Sequence, residues 1–225
     1  MQEIKSDVME YIESFYKPLD AMLEDLREEG ESNRVPIILK DTESLLKTIL
    51  VMHKPKNILE IGTAIGYSAS FMAKLLPETK IISIEKNSEM AEIARQNIRK
   101  LKIDDRIKIL EGDAKECLIT IQDSCDFDEQ KPFDFLFIDA AKSHYKEFWD
   151  LSQNLLAQDA IIVCDNILMK GMTASEEYDK NKKYKTSIRK MREFLEYISN
   201  LEDISTTILA VGDGVSVSKI DKEMR

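Results

Sequence analysis

The sequence predicts an α/β fold, in which helices cover both faces of a mostly parallel sheet. From residue 56 onward, short runs rich in β-branched residues alternate with helical segments, as in right-handed strand-helix-strand crossovers. The chain has 225 residues, 43% of them hydrophobic, which suffices for one well-buried core. Near the C-terminus, two further runs flank a Gly-Asp-Gly turn and predict an antiparallel hairpin.

Each element follows from its own pattern. At the N-terminus, apolar residues at helical spacing, then Pro18 and an acidic stretch ending at Gly30, predict two helices. Five runs predict parallel strands: NILEI (57–61), KIISIE (80–85), RIKIL (106–110), FDFLFID (133–139) and AIIVCD (160–165). Helices are expected near residues 66–75, 87–101, 114–121, 143–156 and 185–199. The hairpin at 204–220 brings the sheet to seven strands. We expect a single domain over residues 1–225, in which a helical extension (1–54) precedes the sheet core (55–225).

Composition narrows the class of protein. The formal net charge of −10 gives no general attraction to nucleic acid or to an anionic membrane. The cysteines, Cys117, Cys125 and Cys164, are odd in number and never spaced as C-x-x-C, which argues against a disulfide framework or a zinc cluster. The N-terminus has no apolar signal core, and no run approaches a membrane span. We therefore expect a soluble cytoplasmic protein with no membrane partner.

A turn after the first strand predicts a nucleoside-binding site. In LEIGTAIGYS (59–68), Gly62 and Gly66 allow a tight turn before the next helix, and Glu85 ends the second strand, where a carboxylate can accept ribose hydroxyls. An ordinary turn and a solvated Glu85 are the alternative. Ala64 and Tyr67 stand where the dinucleotide pattern G-x-G-x-x-G would have further glycines, so the turn favours a cofactor without a pyrophosphate.

Oxygen-bearing side chains end the fourth and fifth strands. Asp139 follows one strand, and Asp165 and Asn166 follow the other. Three such oxygens at one sheet edge are a sensible site for Mg²⁺, with Ca²⁺ or Mn²⁺ as alternatives. Zinc is disfavoured because neither His53 nor His144 adjoins these acids. The competing interpretation treats Asp165 and Asn166 as turn and helix-capping residues.

Five ordered motifs together resemble the cation-dependent class I O-methyltransferases of the catechol and caffeoyl-CoA type. They are LEIGTAIGYS, IEKN, GDA at 112–114, FIDAAKSHY and CDNILMKG, and the resemblance runs from about residue 35 to the C-terminus. EIGTAIGYSA, FIDAAK and DNILMKG are most similar to the bacterial tRNA 5-hydroxyuridine methyltransferases, which make 5-methoxyuridine. The resemblance implies a Rossmann-like methyltransferase fold, S-adenosylmethionine and a divalent metal such as Mg²⁺.

The resemblance also implies roles for individual residues. Asp139, Asp165 and Asn166 would hold the metal, and Lys142 would be the general base. A lysine is a poor base at neutral pH unless burial or a nearby cation favours its neutral form, so a solvated or merely steering Lys142 is the alternative. The residues that would surround the cofactor are Ile38, Glu60, Gly62, Gly66, Ser68, Glu85, Asp113, Ala114 and Asp139.

Residues 180–192, here called the basic segment, are the part of the sequence that indicates which molecule accepts the methyl group. KNKKYKTSIRKMR carries seven Lys or Arg and no acid, so it is a plausible track for the phosphates of tRNA, with Tyr178 and Tyr184 as stacking partners for bases. The RNA-binding candidates are Lys180, Lys182, Lys183, Lys185 and Arg189. A solvated helix face is the alternative.

Three functions remain open at this stage. They are a tRNA O-methyltransferase, a small-molecule catechol-type methyltransferase, and a non-catalytic or NAD-binding module. The missing glycines argue against NAD. By the resemblance we also expect a homodimer, in which exposed residues such as Phe15 and Met22 of the N-terminal helices would take part.

Overall fold

A seven-stranded sheet forms the centre of the protein. The structure is a computed structural model that describes residues 2–123, 132–180 and 182–221, with the side chains of all of these except residues 2–6 and Glu176; Cys125 lies outside these ranges. In chain order the elements are α1 (Gln2–Glu13), α2 (Ala21–Ser32), α3 (Lys40–His53), β1 (Asn57–Ile61), α4 (Tyr67–Leu75), β2 (Lys80–Glu85), α5 (Ser88–Lys100), β3 (Ile107–Glu111), α6 (Ala114–Asp123), β4 (Phe133–Ile138), α7 (Tyr145–Ser152), β5 (Leu156–Cys164), α8 (Lys185–Ser199), β6 (Ile204–Leu209) and β7 (Val215–Ile220).

The strand order is β3-β2-β1-β4-β5-β7-β6. The first five strands are parallel, and β7 runs antiparallel to both β5 and β6. The predicted mostly parallel sheet with a closing antiparallel hairpin is therefore confirmed. The order reverses between β1 and β4, and ligands of doubly wound sheets bind beyond the strand ends at such a point.

Both faces of the sheet are buried. Along β1, Leu59 and Ile61 pack on one face with α6, α7 and α8, whereas Ile58 packs on the other with α2 to α5. Burial on both faces explains why the strands read as continuous apolar runs rather than as alternating ones. The largest fully buried side chain, Trp149 of α7, packs edge-on against Phe194 of α8, 5.7 Å between ring centroids.

Two predicted boundaries near α7 and β5 differ from the observed ones. β5 begins at Leu156, four residues before the predicted start at Ala160, because the exposed Gln158 and Asp159 hide its first half from an apolar pattern. The helix predicted over 143–156 is shorter: a 3₁₀ turn precedes it, and α7 ends at Ser152. None of the helices in the described ranges is long and apolar enough to cross a membrane.

Candidate active site

A cavity of about 720 Å³ lies beyond the carboxyl ends of β1, β2 and β4. Residues 35–38, here called the rim segment, form one side of it and connect α2 to α3. Seven of the nine predicted cofactor residues line the cavity: Ile38, Gly62, Ser68, Glu85, Asp113, Ala114 and Asp139. The sequence therefore located this wall, while the cofactor roles of its residues remain predictions.

Gly66 lies outside the cavity wall and Gly62 within it. A Cβ atom on Gly66, where φ is +81°, would stand 3.2 Å from the Cβ of Ala94, so this glycine permits close packing of α4 on α5 rather than an approach to a ligand. A Cβ atom on Gly62, where φ is +103°, would stand 2.0 Å from the carbonyl oxygen of Asp139. Gly62 is thus required first for the contact between the ends of β1 and β4.

Glu60 is fully buried behind the cavity and does not line it. Its carboxylate accepts hydrogen bonds from Ser68 Oγ at 2.5 Å and from Ser83 Oγ. Burial raises the pKa of Glu60 to about 7, although these two hydrogen bonds favour the charged form. Through Ser68, which does line the cavity, Glu60 supports the wall from behind.

Glu85 and Asp113 form the polar wall at the ends of β2 and β3. Glu85 accepts hydrogen bonds from the backbone N–H groups of Ala64, at 2.9 Å, and Asn87, at 2.8 Å. These bonds hold its carboxylate beside the β1 turn and leave lone pairs free for ligand hydroxyls. Asp113 accepts from Lys86 Nζ at 2.9 Å, and this bond lowers the pKa of Asp113.

The predicted metal ligands and the predicted base meet at the other end of the cavity. Lys142 Nζ donates to Asp139 Oδ1 at 2.8 Å, to Asn166 Oδ1 at 2.8 Å and to the Tyr145 hydroxyl at 2.9 Å. The hydroxyl of Tyr145 in turn donates to the backbone oxygen of Asp165 at 2.8 Å. Tyr145, to which the sequence assigned no role, is the last residue of the motif FIDAAKSHY and lies three residues after Lys142, on the same side of a helical turn.

Asp165 lies directly behind this cluster. Its Oδ1 accepts from the backbone N–H of Asn166 at 2.7 Å, whereas its Oδ2 is buried with no hydrogen-bond partner among the described residues. Burial, and after it the negative charge of Asp139, raises the pKa of Asp165 to about 7. A buried carboxylate oxygen without a partner beside a second carboxylate creates a demand for positive charge at this point.

The C-terminal hairpin holds the loop that carries Asp165 and Asn166. Ile167 N donates to Gly214 O at 3.0 Å, and Leu168 N donates to Asp213 O at 2.8 Å. Gly214 has φ +85°, and a Cβ atom there would stand 2.3 Å from Leu168 Cγ. The Gly-Asp-Gly turn that predicted a hairpin is therefore also the support of the candidate metal site.

Four further wall residues were not predicted from the sequence, and only one of them, His144 in FIDAAKSHY, lies in a quoted motif. The cavity is closed on this side by Lys115 of α6, His144 of the 3₁₀ turn before α7, and Glu147 and Phe148 of α7. Lys115 and Glu147 form an ion pair with 2.5 Å between Nζ and Oε1, and His144 Nδ1 lies 3.2 Å from Glu147 Oε2. Their common position at one cavity end depends on the packing of α6 against α7.

The four lysines predicted to bind RNA are all exposed: Lys180, Lys182, Lys183 and Lys185. The remaining RNA-binding candidate, Arg189, is exposed too but pairs with Glu193, with 2.6 Å between Nη1 and Oε1. The ring of Tyr178 lies over Gly171, in the loop that begins with Asp165, which joins this loop to the start of the basic segment. None of the RNA-binding candidates lines the cavity, so their part in acceptor binding stays a prediction, and residue 181 lies outside the described ranges.

Comparisons with known proteins find relatives among the O-methyltransferases. The O-methyltransferase imqG of Aspergillus flavus is 33% identical over 154 residues, 68% of this chain, and the chain spans 61% of that protein, less than two thirds of its length. The caffeoyl-CoA O-methyltransferase of Populus kitakamiensis is 30% identical over 181 residues, 80% of this chain and 76% of the relative. An O-methyltransferase structure from Bacillus cereus in complex with SAH (S-adenosylhomocysteine) has a TM-score of 0.82 at 26% identity and covers 98% of this chain and 100% of that one.

The family model described as O-methyltransferase covers nearly the whole chain. It matches residues 13–220, from the end of α1 to the end of β7. That span includes the cavity, Lys142 and the oxygens of Asp139, Asp165 and Asn166. The resemblance drawn from the five sequence motifs is confirmed at this level, and the chain belongs to the O-methyltransferase family.

Proposed function

We propose that the protein transfers the methyl group of S-adenosylmethionine, with the help of a divalent metal ion such as Mg²⁺, to 5-hydroxyuridine in a tRNA anticodon loop. The product would be 5-methoxyuridine. One observation carries the proposal: a single cavity joins the ends of β1 to β3 with the oxygens of Asp139 and Asn166 at the ends of β4 and β5. A cofactor and an oxygen-bearing acceptor bound in these two halves would meet within the cavity.

The half of the cavity formed by β1 to β3 suits S-adenosylmethionine. The whole cavity, at about 720 Å³, lies in the range of small-molecule sites, roughly 300–1,000 Å³. Glu85 would accept the two ribose hydroxyls, and Asp113 with Ala114 would adjoin the adenine. SAH in the related Bacillus cereus structure supports this assignment.

The residues at the ends of β4 and β5 fit a divalent metal. Asp165 Oδ2 has no hydrogen-bond partner within residues 2–123, 132–180 and 182–221, and the pKa of this carboxyl is raised, so both observations indicate a place that favours added positive charge. Asp139 and Asn166 already direct oxygens at one positive group, the ammonium of Lys142. Two carboxylates and one amide oxygen are ligands that Mg²⁺ accepts. When bound there, the ion would favour the ionised form of an acceptor hydroxyl.

Lys142 would act as the base that accepts the proton of the acceptor hydroxyl. All three of its N–H donors are engaged, two of them with the proposed metal ligands. A cation bound by Asp139 and Asn166 would compete for those oxygens and free Lys142 to face the acceptor. Lys142 would first release one ammonium proton to water, and its neutral amine, or a water molecule, would then take the acceptor hydroxyl proton. The acceptor oxygen attacks the sulfonium methyl carbon in line while the carbon–sulfur bond breaks, leaving S-adenosylhomocysteine.

Exposed lysines of the basic segment favour tRNA as the acceptor. 5-Hydroxyuracil offers two neighbouring oxygens, the 5-hydroxyl and the O4 carbonyl, so it can chelate a metal as a catechol does. Only a polyanion would use Lys180, Lys182, Lys183 and Lys185 as well. Tyr178 and Tyr184 are 60% and 42% exposed, enough ring surface for bases to stack on.

A small-molecule catechol acceptor is the second candidate, because the Populus kitakamiensis relative is a caffeoyl-CoA O-methyltransferase. The two functions share the cofactor and the metal chemistry. They differ in whether the basic segment matters for turnover.

The deciding experiment measures transfer of labelled methyl from S-adenosylmethionine to tRNA that contains 5-hydroxyuridine, beside a free catechol at equal concentration. Each reaction is run with Mg²⁺ and with chelator. We expect Mg²⁺-dependent labelling of the tRNA. Labelling of the catechol alone would establish the second candidate, and labelling that survives the chelator would remove the metal from the proposal.

The predicted homodimer and cytoplasmic location stay predictions. Apolar side chains on and just after α1 are exposed, including Tyr11 at 68% and Phe15 at 64%. A second copy of the chain could cover them. Sedimentation equilibrium of the purified protein would test this, and a monomer at micromolar concentration would reject it.

A further inference from the structure

A buried polar network joins the N-terminal helices to the cavity. Its centre is Arg27 of α2, which is 3% exposed. Arg27 Nη2 donates to Glu43 Oε2 at 2.5 Å, and Glu43 also accepts from the hydroxyls of Tyr67, at 2.6 Å, and Tyr16, at 2.8 Å. One buried guanidinium thus links α2, α3 and α4.

Two contacts carry this network to the cavity wall. Arg27 Nη1 donates to the carbonyl oxygen of Ile38 at 3.0 Å, and Arg27 Nε donates to the Tyr67 hydroxyl at 3.1 Å. The guanidinium carbon also lies 4.5 Å from the centroid of the Tyr67 ring. Both Ile38 and Tyr67 line the cavity.

The rim segment depends on such contacts because it belongs to no helix or strand. At one end, Val35 N donates to Gly30 O at 2.9 Å, and at the other end Ile38 O accepts from Arg27. The planar guanidinium has five N–H donors in a rigid arrangement, so it can hold Glu43, Tyr67 and Ile38 in one geometry.

Stability alone is a weak reason for a buried ion pair at this place. Two charges lose their hydration on burial, and apolar residues of similar volume often serve stability as well or better. What an apolar side chain cannot do is hold the Ile38 carbonyl and the Tyr67 hydroxyl at the same time. Arg27 therefore serves chiefly to fix the relative positions of Ile38 and Tyr67.

We propose that Arg27 is a positioning residue that fixes the rim segment against the cavity and thereby sets the affinity for the cofactor. This inference rests on the proposed function, since it assigns the cavity to S-adenosylmethionine. Arg27 touches neither cofactor nor acceptor; it acts through Ile38 and Tyr67. Its effect should appear in cofactor binding and leave the chemical step unchanged.

The test compares Arg27→Met with Arg106→Met. Arg106 donates to the carbonyl oxygens of Ala73 and Leu76, at the amino end of the sheet and away from the cavity, so its variant controls for loss of a partly buried guanidinium. For Arg27→Met we expect the Kd for S-adenosylhomocysteine, by calorimetry, and the KM for S-adenosylmethionine to rise by about tenfold or more, with kcat at saturating cofactor within about twofold. Arg106→Met should keep the wild-type Kd.

If Arg27 only stabilised the fold, its variants would change kcat and Kd in a different way. Partial unfolding lowers the number of active molecules, hence the apparent kcat, and leaves the Kd of the folded fraction unchanged. Arg27→Lys extends the test if Arg27→Met does not fold, because lysine keeps the charge beside Glu43 without the guanidinium arrangement. Tyr16→Phe removes a bond to Glu43 but spares the Ile38 contact, so it should bind like wild type.

The outcomes separate this inference from the function on which it rests. If the wild type binds S-adenosylhomocysteine and a folded Arg27→Met or Arg27→Lys binds it equally well, the positioning role is wrong. If the wild type binds none, the proposed cofactor is wrong and the inference loses its basis.

Discussion

Gly62 and Asp139 touch backbone to backbone, so closely that a Cβ atom on Gly62 would stand 2.0 Å from the Asp139 carbonyl oxygen. The contact joins the turn after β1, in the cofactor half of the cavity, to the end of β4, in the metal half. Asp139 N also donates to Ile61 O at 2.9 Å, which holds the two strand ends in register. The two halves of the site thus share one rigid edge.

Replacement of Gly62 by Ala should therefore disturb both halves. The new methyl group clashes with backbone, and alanine rarely adopts a φ of +103°. We expect a loss of stability of at least about 2 kcal/mol and cofactor affinity reduced more than about tenfold, measured by urea unfolding and calorimetry. Gly30→Ala controls for the stability cost of an added methyl group, since its Cβ would meet side-chain atoms alone, Ile65 Cδ1 at 3.0 Å and two atoms of Ile37 at 3.5 Å. Wild-type binding by Gly62→Ala would contradict the contact.

Removal of the Lys142 amine should slow the chemical step. In Lys142→Met we expect kcat to fall by about 10²-fold or more, as is typical for loss of a positioned base, with the Kd for S-adenosylhomocysteine within about threefold. Lys146→Met is the control, because Lys146 is bonded to Asp150 and lies outside the cavity wall. If kcat survives in Lys142→Met, the metal alone ionises the acceptor and Lys142 only steers it.

Glu60 should make the ligand-free protein less stable as the pH rises. Its pKa is raised from 4.5 to about 7, so between these values the folded state binds more protons than the unfolded state. The stabilisation by the protonated carboxyl is complete below pH 4.5 and is lost as the pH rises towards 7; its size is at most about 3 kcal/mol.

Urea unfolding of Glu60→Gln from about pH 5 to pH 8 tests this linkage. The amide keeps the shape and cannot ionise, so the stability of the variant relative to wild type should increase with pH. The exposed Glu89→Gln controls for the change in net charge. Parallel pH curves for Glu60→Gln and wild type would contradict the prediction.

Substitution of Gly214 should weaken the binding of the metal ion more than the binding of the cofactor. A methyl group there would press on Leu168, in the loop that carries Asp165 and Asn166. We expect the Mg²⁺ concentration for half-maximal activity to rise by about tenfold in Gly214→Ala, while the Kd for S-adenosylhomocysteine stays within about threefold. An unchanged Mg²⁺ requirement would mean that the hairpin does not position the metal ligands.

Charge reversal in the basic segment separates the two acceptors. At near-physiological salt, Lys182→Glu with Lys183→Glu should weaken tRNA binding by about tenfold or more and reduce its salt dependence, because phosphate contacts are lost. Turnover of a catechol should not change. Lys100→Glu with Lys102→Glu, both exposed at the end of α5 and just after it, is the control with the same change in net charge. If the control loses tRNA binding equally, the loss comes from net charge alone and the basic segment makes no specific contact with tRNA.

The sequence by itself determined the order of strands and helices along the chain from residue 57 onward, the turn at Gly62, and the ends of β2, β4 and β5, which Glu85, Asp139 and Asn166 mark; it did not predict α3. These features are local, because a strand end and the residue that follows it are adjacent in the chain, and parallel strands bring such ends to one edge. The Gly-Asp-Gly turn likewise predicted the closing hairpin.

Only the tertiary structure decided what lies behind and around that edge. Glu60 looked like a cofactor contact but is buried behind the wall, since its direction depends on the strand pleat and on Ser83 of the neighbouring strand. The Arg27 network joins residues 16, 40 and 11 positions from Arg27, namely Glu43, Tyr67 and Ile38, and no local pattern marks such a meeting. Contacts between distant segments arise when helices pack on the sheet. Local sequence patterns do not specify which side chains of those segments will then face one another.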